Sequence, residues 1–138
     1  MKTFERIDHT ADIGLRAFGH DMKELFANAA SGMMSLLLDN TEVSEATRQV
    51  IELKGRDVQE LLVNFLEEIL FLLNVRGFVT GSIHVNSFND AELSARLGGE
   101  TLDVKKHHIR YEVKGVTFHQ LRFEKEGDLL AVKVIFDI

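Results

Sequence analysis

Between Asp57 and Leu73 the chain is apolar on almost every side of a helix drawn through it. Val58, Leu61, Leu62, Phe65, Leu66, Ile69, Leu70, Leu72 and Leu73 recur at helical spacing, while Glu60, Asn64, Glu67 and Glu68 are confined to one side. Asp57 followed three residues later by Glu60 is a capping box, and Gly77 supplies the C-terminal stop. A helix with so wide an apolar surface has to be buried over most of its circumference, and a sheet is the natural cover.

The rest of the sequence offers the strands for that sheet. Phe4 to Asp8 and Ile13 to Phe18 alternate, which predicts two strands joined around His9 to Asp12. Asp21 and Glu24 repeat the capping box, and Met22, Leu25, Phe26, Ala29, Ala30 and Met33 predict a first helix ending near Leu38, with Asp39-Asn40-Thr41 as the turn. Ala46 to Leu53 reads as a strand stopped by Gly55. Phe78 to Phe88 and Ala91 to Leu97 read as a hairpin turning at Asn89-Asp90, with Gly98-Gly99 as a flexible break after it. Lys105 to Arg110 is ambiguous; Tyr111 to Phe118, Leu121 to Glu126 and Leu129 to Asp137 follow as strands, the last two joined by a turn at Glu126-Gly127-Asp128. In the final strand Leu130, Val132, Val134 and Phe136 share one face and Leu129, Ala131, Ile135 and Asp137 the other, a pattern that suits a central strand covered on both sides or one packed under the second helix. Strands and helices do not alternate regularly, so the expected class is α+β: a mixed, mostly antiparallel sheet with two amphipathic helices packed on it, in one domain spanning residues 1–138.

Composition narrows the function. The 138 residues contain no cysteine, which removes disulfides, thiolate catalysis and cysteine-based zinc sites and fits a reducing compartment, the cytoplasm by expectation. No stretch has the length and apolarity of a signal peptide or membrane span, so no membrane role is expected. A net charge of -6 repels polyanions, which argues against tight direct binding of nucleic acid. Lys105, Lys106, His107, His108 and Arg110 read either as a local basic patch or as a solvated loop. Phosphate-cradling loops, paired histidines around a helical glutamate and nucleophile elbows are all absent from the sequence.

Three polar sets remain. Asp8, His9, Thr10 and Asp12 cluster where two strands meet, either as oxygen donors for a hard cation or as an Asx-type turn. Asp137 follows an apolar run and stands beside Ile138, whose α-carboxylate adds a second negative charge; the pair is either a frayed, solvated end or part of an anionic cation pocket shared with Asp12. Lys114, Thr117 and His119 form the third set. On a regular strand Thr117 and His119 share a face and Lys114 lies on the other, as on any strand facing solvent.

These sets carry a resemblance. His9-Thr10-Ala11-Asp12-Ile13-Gly14 resembles the N-terminal motif of the archease family, Lys114-Gly115-Val116-Thr117-Phe118-His119 is similar to its Lys-Ala-Val-Thr-Tyr-His segment, and Val134-Ile135-Phe136-Asp137-Ile138 is similar to its Val-x-Phe-Asp-Ile ending. The match keeps order and spacing through the whole chain. Gly115 and Phe118 depart from the family's usual Ala and Tyr, so no role for a phenol carries over. The resemblance implies that Asp12, Asp137 and Ile138 bind a divalent cation such as calcium, and that Lys114, with His9, Thr117 and His119, supports activity. It also implies a partner, the manganese- and GTP-dependent RNA ligase of tRNA splicing, which joins 2′,3′-cyclic phosphate or 3′-phosphate ends to 5′-hydroxyls. In that role the chain is not an enzyme but promotes guanylylation of the ligase and multiple turnover. Two alternatives stand beside this expectation: a chaperone-like modulator of a tRNA methyltransferase, a role also attached to the family, and a metal-dependent phosphohydrolase using Asp12 and Asp137 with His9 or His119 as base.

Overall fold

Both capping boxes form and begin the helices. Asp21 Oδ1 accepts the Glu24 N–H at 2.9 Å and Asp57 Oδ1 accepts the Glu60 N–H at 2.8 Å, while each glutamate reaches back to the amide preceding its cap, of His20 and of Arg56. The computed structural model describes residues 2–8, 12–39 and 42–138, Asp8 by its backbone alone; His9, Thr10 and the expected Asn40-Thr41 turn lie outside the described residues. In chain order the elements are β1 (Phe4–Asp8), β2 (Asp12–Gly19), α1 (Met22–Leu37), β3 (Thr47–Lys54), α2 (Val58–Asn74), β4 (Phe78–Phe88), β5 (Glu92–Thr101), β6 (Gly115–Glu126) and β7 (Leu129–Asp137).

The fold is α+β, as the pattern predicts, with its strands divided between two sheets in which every pairing is antiparallel. One sheet has the order β1-β2-β7-β6 and the other β3-β5-β4. The helices bridge them: α1 packs against β2 and β4, and α2 against β6, β4 and β3. This arrangement explains the breadth of α2's apolar surface, since it meets strands of both sheets.

Phe26 of α1 stands at the junction. Its ring lies 6.0 Å from Phe65 of α2, 5.1 Å edge-on from Phe88 of β4 and 6.3 Å, nearly parallel, from Phe123 of β6. One ring therefore joins both helices and both sheets, and truncating a buried ring of this kind costs about 3–5 kcal/mol. Around it one apolar cluster takes in Ile13 and Leu15 of β2, Leu62 and Leu66 of α2, Ala95 and Leu97 of β5, and Val134 and Phe136 of β7. Among the described residues no helix is long and apolar enough to cross a membrane.

Two local expectations are corrected. Gly98-Gly99 is not a flexible break but the buried middle of β5, which runs on to Thr101. A β-carbon on Gly99 would lie 2.0 Å from the Val79 carbonyl oxygen, so glycine is needed there for the close approach of β4 where the ladder shifts register. Tyr111 to Lys114 is not strand, and the two strands expected between Tyr111 and Glu126 are the single strand β6, interrupted by a bulge after Thr117.

The run Lys105 to Arg110, which reads either as a basic patch or as a solvated loop, does not form a free basic patch. Lys106 donates to Glu100 at 2.8 Å, Arg110 pairs with Asp39, and His107 is buried. His107 Nδ1 accepts the Asp103 N–H at 2.9 Å, which leaves Nε2 to carry the ring proton toward Glu100 at 3.1 Å. The Lys106 ammonium first, then the Ser44 N–H and the His107 ring, hold the Glu100 carboxyl at a pKa of about 2, below its ordinary 4.5. A carboxyl whose pKa falls on folding stabilises the fold above its unfolded pKa and stops doing so as pH drops through the folded one. Urea midpoints of the wild-type chain are therefore expected to fall between pH 4.5 and about 2, with Glu100→Gln less stable at pH 6 and falling less steeply over that window. Parallel curves for the two proteins would contradict this role.

Candidate metal centre

The pairing of β2 with β7 sets Asp12 directly opposite Asp137, and the pairing of β6 with β7 sets Gly115 opposite the same residue. Ile13, Leu15 and Ala17 of β2, and Val132, Val134 and Phe136 of β7, point into the core. Strand alternation then assigns Asp12, Gly14 and Arg16, and Lys133, Ile135 and Asp137, to the sheet's outer face. Directly opposed residues of an antiparallel pair have β-carbons about 4.5–5.5 Å apart on the same side of the sheet. Asp137 is exposed; Asp12 is half-buried and its Oδ1 is shielded from solvent.

Two carboxylates in this relation repel each other. A hard divalent cation removes that cost, and calcium–oxygen bonds of about 2.3–2.6 Å can span such a pair, so the residues fit the ion that the family resemblance implies. Among the described residues no three Asp, Glu or His side chains come together as a ligand set. Water and main-chain oxygens would complete the shell, as they often do for calcium and magnesium. Ile138 follows directly, and its half-buried side chain packs against the core.

The other expected residues fall as follows. Lys114 is exposed, and its amide donates to the Asp137 carbonyl at 2.7 Å, which ties the start of β6 to the end of β7. Gly14 and Thr117 flank Ile135 in the next row of the outer face. A β-carbon on Gly14 would meet Ile7 Cβ at 3.0 Å and Ile135 Cδ1 at 3.1 Å, so the motif's glycine lets these two side chains close over it. Thr117 and His119 do not share a regular strand face, because the bulge starts between them; the His119 N–H instead donates to Thr117 Oγ1 at 3.1 Å. His9 lies outside the described residues.

Sequence reasoning missed Glu67. On the polar side of α2, it is half-buried, and its Oε1 accepts the Val116 N–H at 2.9 Å. β6 is an edge strand, so this amide has no ladder partner, and the helix supplies one to the strand that begins beside Asp137. The available signal was one of two adjacent acids, Glu67 and Glu68, between Leu66 and Ile69, hard to tell from ordinary solvated positions.

Comparison with known proteins agrees with this fold. A family model described as the Archease protein family (MTH1598/TM1083) matches residues 4–138. Protein archease of Thermococcus gammatolerans is 37% identical over 131 residues, covering 93% of this chain and 92% of that protein. The solution structure of Methanobacterium thermoautotrophicum protein 1598 superposes with a TM-score of 0.81 at 34% identity, over 100% of both chains. The crystal structure of an archease, possible chaperone, from Thermotoga maritima shares the fold, with a TM-score of 0.64 at 21% identity, over 97% of this chain and 96% of that one. This chain belongs to the archease family.

Proposed function

We propose that the chain is an accessory protein that activates the RNA ligase of tRNA splicing, and that it does so with a divalent cation, calcium for preference, held by Asp12 and Asp137 beside the main chain of Ile138. The observation that carries this reading is the register that opposes the two carboxylates, with the Lys114 amide bonded to Asp137. All the donors are oxygens, which favours a hard ion over a soft one. When bound, such a cation offsets negative charge on a transferring phosphate.

The chain's own residues do the rest. Asp12 and Asp137 fix where positive charge is held. Lys114 adds a mobile ammonium on a flexible stem whose base is anchored at Asp137, and Glu67 steadies the strand that follows. The excess of acidic residues, a net charge of -6, makes the molecule a poor holder of RNA and suits it to acting on a partner that holds the RNA itself.

The cation site is tested by thermal melting. Asp12→Asn and Asp137→Asn are compared with the wild type; in chelator Asp137→Asn should melt at or slightly above the wild-type temperature, by about 1–4 °C, because it removes one of two opposed like charges. Calcium at about a hundredfold excess over its Kd should add about 2.7 kcal/mol to the wild type and nothing to either variant. Equal stabilisation of all three would place the ion elsewhere. The activator role is tested with purified ligase, GTP and RNA ends. The chain alone should turn nothing over, the wild type should restore multiple ligase turnovers, and Lys114→Ala should lose that effect while keeping its calcium-induced melting shift. Turnover by the chain alone would favour the phosphohydrolase alternative instead.

A further inference from the structure

Four strands end the two sheets, and among the described residues β3 offers the long regular edge. β6 is interrupted by its bulge, β4 shifts register twice against β5, and β1 has five residues, whereas β3 runs against β5 for eight residues without a shift. The Gly55 N–H donates to the Ala91 carbonyl at 2.8 Å, in phase with the β3–β5 ladder, so Thr47, Gln49, Ile51 and Leu53 turn their backbone groups toward β5. Arg48, Val50, Glu52 and Lys54 turn theirs to the free edge. The Lys54 carbonyl is taken there by the Asn64 side chain at 2.8 Å, while no described group bonds the outward amides of Arg48, Val50 and Glu52. The segment before β3 turns away from this edge, with Val43 over Gly81 and the Glu45 carboxylate bonded by Ser82 of β4.

The side chains of the same residues lie on the sheet's outer face, opposite the buried Ile51. Val50 is 68% exposed, and Arg48 and Glu52 on either side of it form no ion pair among the described residues. Charges on an edge strand ordinarily discourage pairing. Here they discourage most pairings and complete one. If a second copy lies antiparallel with Val50 opposite Val50, Arg48 stands opposite Glu52 and Glu52 opposite Arg48. All three pairs join outward backbone groups to outward backbone groups, and each such pair exchanges two N–H···O bonds. Other registers of the same phase set Arg48 against Arg48, Lys54 or Val50, or Glu52 against Glu52. Opposed like charges destabilise an antiparallel pair and opposed unlike charges support it.

We propose that β3 is a self-association edge, pairing with β3 of a second copy of this chain about a two-fold axis at Val50. The two three-stranded sheets then join into one of six strands. The occupant follows from the order of charges along the strand. Because the axis repeats every contact, one chain's Arg48–Glu52 pair is made twice, and the exposed valines cover each other. The charges one strand further in, Arg96 opposite Val50 and Glu92 opposite Lys54, are of opposite sign and lie away from the axis. A single added strand pair makes a small interface, so the dimer is weak, with a dissociation constant on the order of 100 µM. Asp12 and Asp137 belong to the other sheet, so the proposal does not rest on the activator reading.

Sedimentation velocity of the full chain from about 10 µM to about 1 mM tests this, with melting temperature measured on each variant. The wild type should pass from monomer to dimer over that range. Arg48→Glu and Glu52→Arg each oppose like charges twice and should weaken association about tenfold or more, while the double swap should return it to within about threefold of wild type. All three should melt as the wild type does, since both side chains are exposed. Val50→Pro removes an outward N–H that β5 does not use, so it should abolish the dimer and leave the fold. The chain has no cysteine, so Val50→Cys carries a single thiol. Paired residues at the axis stand about 5.5 Å apart between α-carbons, within the span of a disulfide. Val50→Cys should therefore oxidise to a covalent dimer at least about tenfold faster than Val104→Cys, whose site is 79% exposed. A wild type that stays monomeric at about 1 mM, a dimer indifferent to the single swaps, a double swap without rescue, or equal oxidation of the two cysteine variants would each overturn the proposal.

Discussion

The antiparallel register of β2 against β7 is the constraint on which the rest of the structure depends. It matches Ile13 with Phe136, Leu15 with Val134 and Ala17 with Val132, and these pairs form the core side of the four-stranded sheet. Because side chains alternate with a period of two, a slip of one residue would turn all of these side chains outward and drive Asp12 or Asp137 into the core. The cost of that exchange fixes the register. The same register leaves the two aspartates opposite each other at the sheet's outer face, so the packing that stabilises the fold also assembles the candidate site.

The helices carry this order across the molecule. Phe26 touches rings from α2, β4 and β6, which couples the second sheet to the first through both helices. α2 then reaches the site's border directly, since Glu67 bonds the Val116 amide just after Lys114 and Gly115. Three distant parts of the chain meet here: the start of β2, the start of β6 and the end of β7. The local backbone is held by core packing on one face, by the β7 ladder and by one helix-borne carboxylate at the edge.

What the sequence made legible was what short-range chemistry decides. Asp21 with Glu24 and Asp57 with Glu60 sit within one helical turn, and the helix starts they signal are those observed. The alternation of Ile13, Leu15 and Ala17, and of Val132, Val134 and Phe136, correctly marked core-facing strand sides. The division into two sheets was not legible, because it depends on which strands each helix meets. Gly98-Gly99 looked like a break because glycine signals a turn and a close backbone approach alike, and only the Val79 carbonyl beside Gly99 tells them apart. The bulge after Thr117 depends on the count of residues against β7, and Glu67 on a strand edge 49 positions away; neither leaves a local trace. The motifs named Asp12 and Asp137, but their opposition is a property of the register.

The central claim is that this register builds a cation site from Asp12 and Asp137. Anomalous diffraction from crystals soaked in calcium tests it most directly. The account expects one peak bridging the two side chains, with oxygens of both at about 2.3–2.6 Å. A calcium peak bound by other residues, or two ordered carboxylates with none between them at saturating calcium, would contradict it.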